Sequence, residues 1–331
     1  SRYLLTGSAR MQERPIGILV AALRQLGADI IYVNKTGYPP LLIKGSHLSG
    51  GRLSISADIS SQYLSALLLI APTLSNGLEL VLEGTLVSRP YLLMTLKTMA
   101  YFGIHYTWEG NTISIAPQQY TARAFTVEAD WSAASYYYAM AALCPAGSVN
   151  FQLVGLQAES LQGDSALVQL MEQFGVHSSF SKDTVDLRKT SSAITSFHYN
   201  FLNCPDIAQT LAVVCTGRGI SGIFEGLTTL SIKETDRTAA LAIELAKLGT
   251  SFNAIDTTGN TWQLTSAPLP KLPNSAISTY HDHRMAMSFA PLAICLKPGI
   301  LIKDPLVVKK SYSDFWLHLI QLGYKIVDKI I

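Results

Sequence analysis

Five short segments, QLGADI, YFGIHY, QFGVHS, KLGTSF and QLGYKI, each close a helix-like apolar stretch with a glycine. These glycines, Gly27, Gly103, Gly175, Gly249 and Gly323, lie 76, 72, 74 and 74 positions apart. Glycine is the residue that most readily takes the left-handed conformation ending a helix, so each mark reads as a helix C-terminal cap. Four of them follow an acidic residue that opens another helix, Asp58, Asp130, Asp206 or Asp282, by 45, 45, 43 and 41 positions. Between the two landmarks lie alternating segments such as GLELVLEG and GSVNFQLVG, and after the glycine come short strands such as NTISIA and DTVDL. Each unit therefore reads as βαβαββ, about 74 residues long, and a period of that size exceeds those of solenoid repeats. Gly27 has only 26 residues before it and the sequence does not open on Met. The pattern thus leads to the expectation that the chain begins inside a repeat, with a native N-terminal segment absent.

A chain of 331 residues that is 48% hydrophobic and 15% charged can bury a large core, and two domains are expected. Its net charge of +2 is far from the basic bias of a nucleic-acid binder, so any anion-binding charge must be local. Cys144, Cys204, Cys215 and Cys295 form no CxxC pair and suggest neither zinc nor a disulfide framework. The start SRYLLTGSARMQERP lacks a signal peptide's apolar region, and the apolar run YLSALLLIAP is too short to span a bilayer. A cytoplasmic protein with no membrane or nucleic-acid partner is expected.

The candidate sites sit at helix starts. In SIKETDRTAA, Lys233, Glu234, Asp236 and Arg237 precede a helix whose apolar stripe is Leu241, Leu245 and Leu248, with Thr235 as its best N-cap. Cations there oppose the helix dipole, so either Glu234 and Arg237 form a surface pair or the cations converge on an anionic ligand. Ser60, Ser61 and Gln62 open a helix in SADISSQYL, and Ser88, Arg89 and Tyr91 enter one in LVSRPYL, where Pro90 suits the first position. His283 and Arg284 in HDHRM, Lys309 and Lys310 in LVVKKSYSDFW, and Arg10 and Arg14 in ARMQERP complete the set, with Pro15 fitting the N1 position of the next helix. The H-x-H spacing of HDHRM has no second ligand cluster, so no metal is expected. Equivalent helix ends in a repeat fold share a face, which predicts a cleft walled by helix N-termini for a substrate with several negative groups.

SSQYLSALLLIAP, LVSRPY, IKETDR, DHRMAM and KKSYSDF, in this order, resemble the 5-enolpyruvylshikimate-3-phosphate (EPSP) synthase family, 3-phosphoshikimate 1-carboxyvinyltransferases. The resemblance runs from Leu5 onward and implies an α/β fold, a two-domain inverted α/β barrel of βαβαββ repeats with the active site in the cleft between domains. Of six units about four and a half are present, the first one and a half being missing. The resemblance implies a shikimate-phosphate-side domain over 1–127 and a phosphoenolpyruvate-side domain over 128–331, crossing near FTVEADW. It implies transfer of the enolpyruvyl group of phosphoenolpyruvate to the 5-hydroxyl of shikimate 3-phosphate, as a step toward chorismate and the aromatic amino acids. No metal or organic cofactor takes part, and a monomer is expected. Carried over by motif, Ser60, Ser61, Gln62, Ser88, Tyr91, Asp206 and Lys233 bind shikimate 3-phosphate. Arg10, Gln62, Arg237, Arg284 and Lys310 bind phosphoenolpyruvate. Asp206 is the implied base for the hydroxyl, Glu234 the proton-transfer carboxylate at the methylene carbon, and His283 lines the same pocket. Thr229 stands where some members have Asn, and the family's N-terminal Lys-Ser…Arg element and Gly-Thr-rich loop have no counterpart in this sequence.

Three other functions fit parts of the pattern. The enolpyruvyl transferase acting on UDP-N-acetylglucosamine shares the fold but uses a loop cysteine, for which Cys144 and Cys204 are poor matches. RNA 3′-phosphate cyclases use related units but call for a basic face. A ligand-binding chain without turnover would bind both substrates and release no phosphate.

Overall fold

The computed structural model describes residues 1–57, 61–84, 86–87, 89–270, 275–297 and 299–327. The chain divides into two compact units, Ser1–Thr126 and Val127–Ile331.

The first unit holds β1 (Arg2–Leu5), α1 (Ala9–Gln12), α2 (Gly17–Gln25), β2 (Asp29–Tyr32) and β3 (Leu41–Lys44), with strand order β1-β3-β2. A repeat follows: β4 (Gly51–Ser56), α3 (Ser61–Ile70), β5 (Leu78–Glu83), α4 (Arg89–Tyr101), β6 (Thr107–Glu109) and β7 (Thr112–Ile115). Its strands order as β4-β5-β7-β6, with β4 parallel to β5 and the other pairs antiparallel. Parallel pairing demands a crossover, which α3 supplies. The apolar faces of α3 and α4 meet the sheet through buried Leu64, Leu67, Leu68, Leu92, Leu96 and Met99.

The second unit opens with α5 (Trp131–Leu143), β8 (Asn150–Val154), α6 (Leu167–Glu172), β9 (Val176–Ser181) and β10 (Thr184–Lys189), the strands ordered β8-β10-β9. A complete repeat comes next: β11 (Ser196–Asn200), α7 (Ala208–Arg218), β12 (Ser221–Glu225), α8 (Arg237–Ala246), β13 (Ser251–Ala254) and β14 (Trp262–Thr265). Its order, β11-β12-β14-β13 with β11 parallel to β12, repeats the arrangement of the first unit's four-stranded sheet. Then come α9 (His283–Phe289) and α10 (Phe315–Gln321), with a single parallel bridge between Ile277 and Ile302. The core is rich in rings, with Phe197, Phe201, Phe224 and Phe252 in successive contact at centroid separations of 6.2, 5.5 and 5.7 Å. Among the described residues no helix is long and apolar enough to cross a membrane.

All five marker glycines have positive φ, between 77° and 106°. The repeat pattern departs from expectation at two places, one of them the α9–α10 unit, which among the described residues carries only the Ile277–Ile302 bridge where strands were expected. At the other, no strand precedes α5, because the segment before it makes a single ladder-like bond, Ala129 N–H to Gly155 O at 2.8 Å, and leaves Phe125 and Val127 exposed. Two local expectations are also corrected. The cap of α8 is Asp236, not Thr235, since the Asp236 carboxylate accepts the Ala239 N–H at 2.9 Å. Pro15 lies outside α2, which starts at Gly17 after Ile16.

α5 and α7 are buried almost all round, as expected for helices without a polar face. Small polar residues let them approach: Ser135 and Thr210 lie 3.0 Å apart, and Thr210 lies 3.4 Å from Ser288 of α9. These links tie the first halves of α5 and α7 to the last turn of α9.

Candidate active site

Asp130 caps α5 by accepting the Ser132 N–H, and Asp282 caps α9 by accepting the Arg284 N–H, both at 2.8 Å. Asp206 occupies the short 3-10 turn that leads into α7. The approach to α9 is bent by Tyr280 and His281, at φ 53° and 56°, conformations that non-glycine residues seldom take. Buried Glu244 secures this bend, accepting from Tyr280 Oη at 2.7 Å, Ser278 N–H at 3.0 Å and Lys247 Nζ at 2.6 Å.

Arg237, only 2% exposed, is the centre of the resulting ion cluster. Its Nε donates to Asp282 at 2.7 Å, one Nη to Asp206 at 2.8 Å and the other to Glu234 at 2.5 Å. Arg284 donates to the second Asp206 oxygen at 3.2 Å, and Lys233 Nζ stands 3.6 Å from the first. Asp206 therefore receives three cations. Lys310 Nζ donates to the His281 carbonyl at 2.6 Å, placing another cation at the bend before α9.

These surroundings drive the titrating groups apart. Burial would raise the Asp206 carboxyl, but Arg284, Lys233 and Arg237 outweigh it and hold the group well below the usual range, so Asp206 stays ionised. Asp164 shows the opposite balance. It is buried, accepts from Ser132 Oγ, and is pushed up to about 6 by burial and by the charge of Asp206, against the pull of Arg284. Burial, with Arg284, lowers the His283 imidazole below its ordinary value, the charge of Asp282 opposing it. Its Nδ1 is buried with no hydrogen-bond partner among the described residues. A carboxylate kept ionised beside several cations, with a second whose hold on a proton is strengthened, can accept a proton and neutralise an oxyanion.

Seven sequence-expected residues thus fall in one neighbourhood of the second unit: Asp206, Lys233, Glu234, Arg237, His283, Arg284 and Lys310. The Glu234–Arg237 pair exists, but within this partly buried cluster and not on an open helix surface. Others lie in the first unit. Ser61 and Gln62 form the first turn of α3, and Tyr91 the first turn of α4. Ser65 and Thr95, 2.8 Å apart, tie those helices together, and Tyr63 Oη donates to the Pro15 carbonyl with Arg14 nearby. Arg10 lies in α1 and donates to Glu13 at 3.2 Å. Ser60 and Ser88, like the landmark Asp58, lie outside the described residues.

The sequence reading missed Asp164 and Ser132 as members of the cluster. In LQGDSALV the aspartate looks like any helix-opening acid, and the only available signal was its place shortly before an apolar helix.

The EPSP synthase family (3-phosphoshikimate 1-carboxyvinyltransferase) matches residues 1–319. The chain belongs to the EPSP synthase family. The 3-phosphoshikimate 1-carboxyvinyltransferase of Bacteroides fragilis strain YCH46 is 44% identical over 325 residues, covering 98% of this chain and 78% of the relative. That of Shewanella baltica strain OS185 is 37% identical over 324 residues, covering 97% and 73%. The fold of an EPSP synthase from Acinetobacter baumannii matches with a TM-score of 0.75 at 20% identity, over 97% of this chain and 74% of that one. The enolpyruvyl transferase NikO from Streptomyces tendae matches with a TM-score of 0.69 at 15% identity, over 98% and 73%. This EPSP synthase family member thus has the enolpyruvyl transferase fold, built from mixed α/β sheets.

Proposed function

We propose that this chain is a 3-phosphoshikimate 1-carboxyvinyltransferase, moving the enolpyruvyl group of phosphoenolpyruvate to the 5-hydroxyl of shikimate 3-phosphate and releasing phosphate. The observation that carries the reading is Asp206, a buried carboxylate kept ionised by Arg284, Lys233 and Arg237. Such a group can take the hydroxyl proton as the oxygen bonds to the substituted carbon of phosphoenolpyruvate, while Glu234 delivers a proton to the methylene carbon. Loss of one proton from the resulting methyl group, with departure of phosphate and its bonding electrons, restores the double bond. Arg237, Arg284 and Lys310 face the charge of phosphoenolpyruvate, with His283 beside them, and Lys233 faces the phosphate of shikimate 3-phosphate. Residues 128–331 form the phosphoenolpyruvate-side domain and 1–127 the shikimate-phosphate-side domain. Within the latter, Arg10 and Gln62 are assigned to phosphoenolpyruvate, and Ser60, Ser61, Gln62, Ser88 and Tyr91 to shikimate 3-phosphate. The protein works in the cytoplasm as a monomer.

The test is phosphate release with both substrates, comparing the parent chain with Asp206→Asn and offering UDP-N-acetylglucosamine as the competing acceptor. Release that needs shikimate 3-phosphate and falls by about 10²–10⁴-fold in the variant supports the reading. Release with the nucleotide sugar, or an unaffected variant, overturns it.

A further inference from the structure

At the opposite end of α5 and α7, about 20 Å along the helices from the ion cluster, lies a second and separate concentration of positive charge. A cleft of about 380 Å³ is lined by the C-terminal residues of both helices, Leu143 and Arg218, and by Cys144, Lys189 and Ser192. Lys189 is 4% exposed and Arg218 half-buried. Each has one hydrogen-bond acceptor: Lys189 Nζ donates to the Phe174 carbonyl, and Arg218 donates to the Ala142 carbonyl at 2.9 Å. Among the described residues neither forms an ion pair with a carboxylate, so two of the ammonium hydrogens and most of the guanidinium donors have no protein acceptor. The cations instead act on one another: burial and then Arg218 push the Lys189 amine down to about 8. Ser192 Oγ, in the same lining, is buried with no hydrogen-bond partner among the described residues.

Capping of helix C-termini explains one bond from each cation, since both reach backbone carbonyls near helix ends. It does not explain why two uncompensated charges and an unpartnered buried hydroxyl share one cleft. Buried like charges raise each other's cost unless an anion is close, and a buried hydroxyl without a partner loses its hydrogen bond to water. An oxyanion seated in the cleft would offset the two charges, and a rotation of the Ser192 side chain would let it accept from that hydroxyl as well.

We infer that the cleft bounded by Lys189, Arg218 and Ser192 is a second ligand site, one that takes a small oxyanion, carboxylate or phosphate, away from the reaction. Leu143 gives it one apolar wall, against which the body of an organic anion can rest. Cys144, on the rim, makes occupancy measurable without following turnover. The thiol is raised by burial and reacts slowly, yet it is more accessible than buried Cys204 and Cys215.

The experiment treats the full chain with iodoacetamide in the presence of increasing benzoate or, separately, inorganic phosphate, and follows alkylation of Cys144 by peptide mapping. Saturable protection by either anion is expected. Protection by benzoate at lower concentration identifies an organic carboxylate as the ligand class, and the reverse order identifies phosphate. Ser192→Ala and Arg218→Gln should each weaken protection, the latter by about tenfold, as loss of a charge-assisted hydrogen bond implies. Arg218→Lys, which keeps the charge and can still reach the Ala142 carbonyl, should retain most of it and serves as the folding control. Lys233→Ala, in the distant cluster, should leave protection unchanged. Absence of protection by both anions, or protection equal in the parent and in Ser192→Ala and Arg218→Gln, overturns the inference.

Discussion

Arg237 Nε stands 2.7 Å from Asp282 Oδ2, and both side chains are withdrawn from solvent. A buried charge of this kind is tolerable only while its partners remain, and Arg237 serves Asp206 and Glu234 as well. Arg237→Met is therefore expected to lower stability by about 3–5 kcal/mol, since it strands Asp282 in the interior. Urea unfolding followed by circular dichroism measures this, and a loss below about 1 kcal/mol would mean that solvent reaches Asp282.

Asp164 and Asp206 predict opposite dependences on pH. For Asp206 the folded value lies below the unfolded one, so its contribution is present above the unfolded value and is lost as pH falls through the folded one. For Asp164 the folded value of about 6 lies above the unfolded one, so its penalty is absent in acid and grows as pH rises toward that value. Asp164→Asn should gain stability relative to the parent as pH is raised from about 4 to about 7. Paired denaturation curves at the two limits decide it, and a constant difference would place Asp164 in water.

Lys233→Ala and Glu234→Gln should separate binding from chemistry. Removing the Lys233 ammonium is expected to weaken shikimate 3-phosphate binding by about 10–100-fold, the scale of one charge-assisted hydrogen bond. Glu234→Gln should slow turnover by about 10²–10⁴-fold with binding largely kept. Calorimetric titration beside steady-state rates reads both, and two silent variants would remove these residues from the site.

Gly219 ends α7 at φ 69° with open space around a built Cβ, so Gly219→Ala tests backbone strain alone. A loss of about 1 kcal/mol is expected. Gly222→Ala should cost more, because its Cβ would meet the Phe197 carbonyl oxygen at 2.5 Å, and thermal unfolding of the two variants gives the ranking.

The repeat was legible because its signals are local. A helix end that needs positive φ selects glycine, and Gly27, Gly103, Gly175, Gly249 and Gly323 all take that conformation. The stripe Leu241, Leu245 and Leu248 is buried as its spacing implied. The role of Asp164 was not legible, since its burial depends on Ser132, 32 positions earlier, and its charge state on Asp206, 42 positions later. Arg237 shows the same limit. Its position at a helix start and its pairing with Glu234 were readable, but its enclosure is completed by Asp206 and Asp282, 31 and 45 positions away. The cap of α8 turned on a single residue, because Thr235 and Asp236 both suit the position and only backbone geometry distinguishes them.

Among the described residues each sheet draws its strands from one stretch of chain, Gly51–Ile115 for one four-stranded sheet and Ser196–Thr265 for the other. During synthesis none of these described strands waits for a distant one among them to leave the ribosome. Each sheet can close as soon as its own last strand emerges, which shortens the time that unpaired strand edges stand open to misassociation.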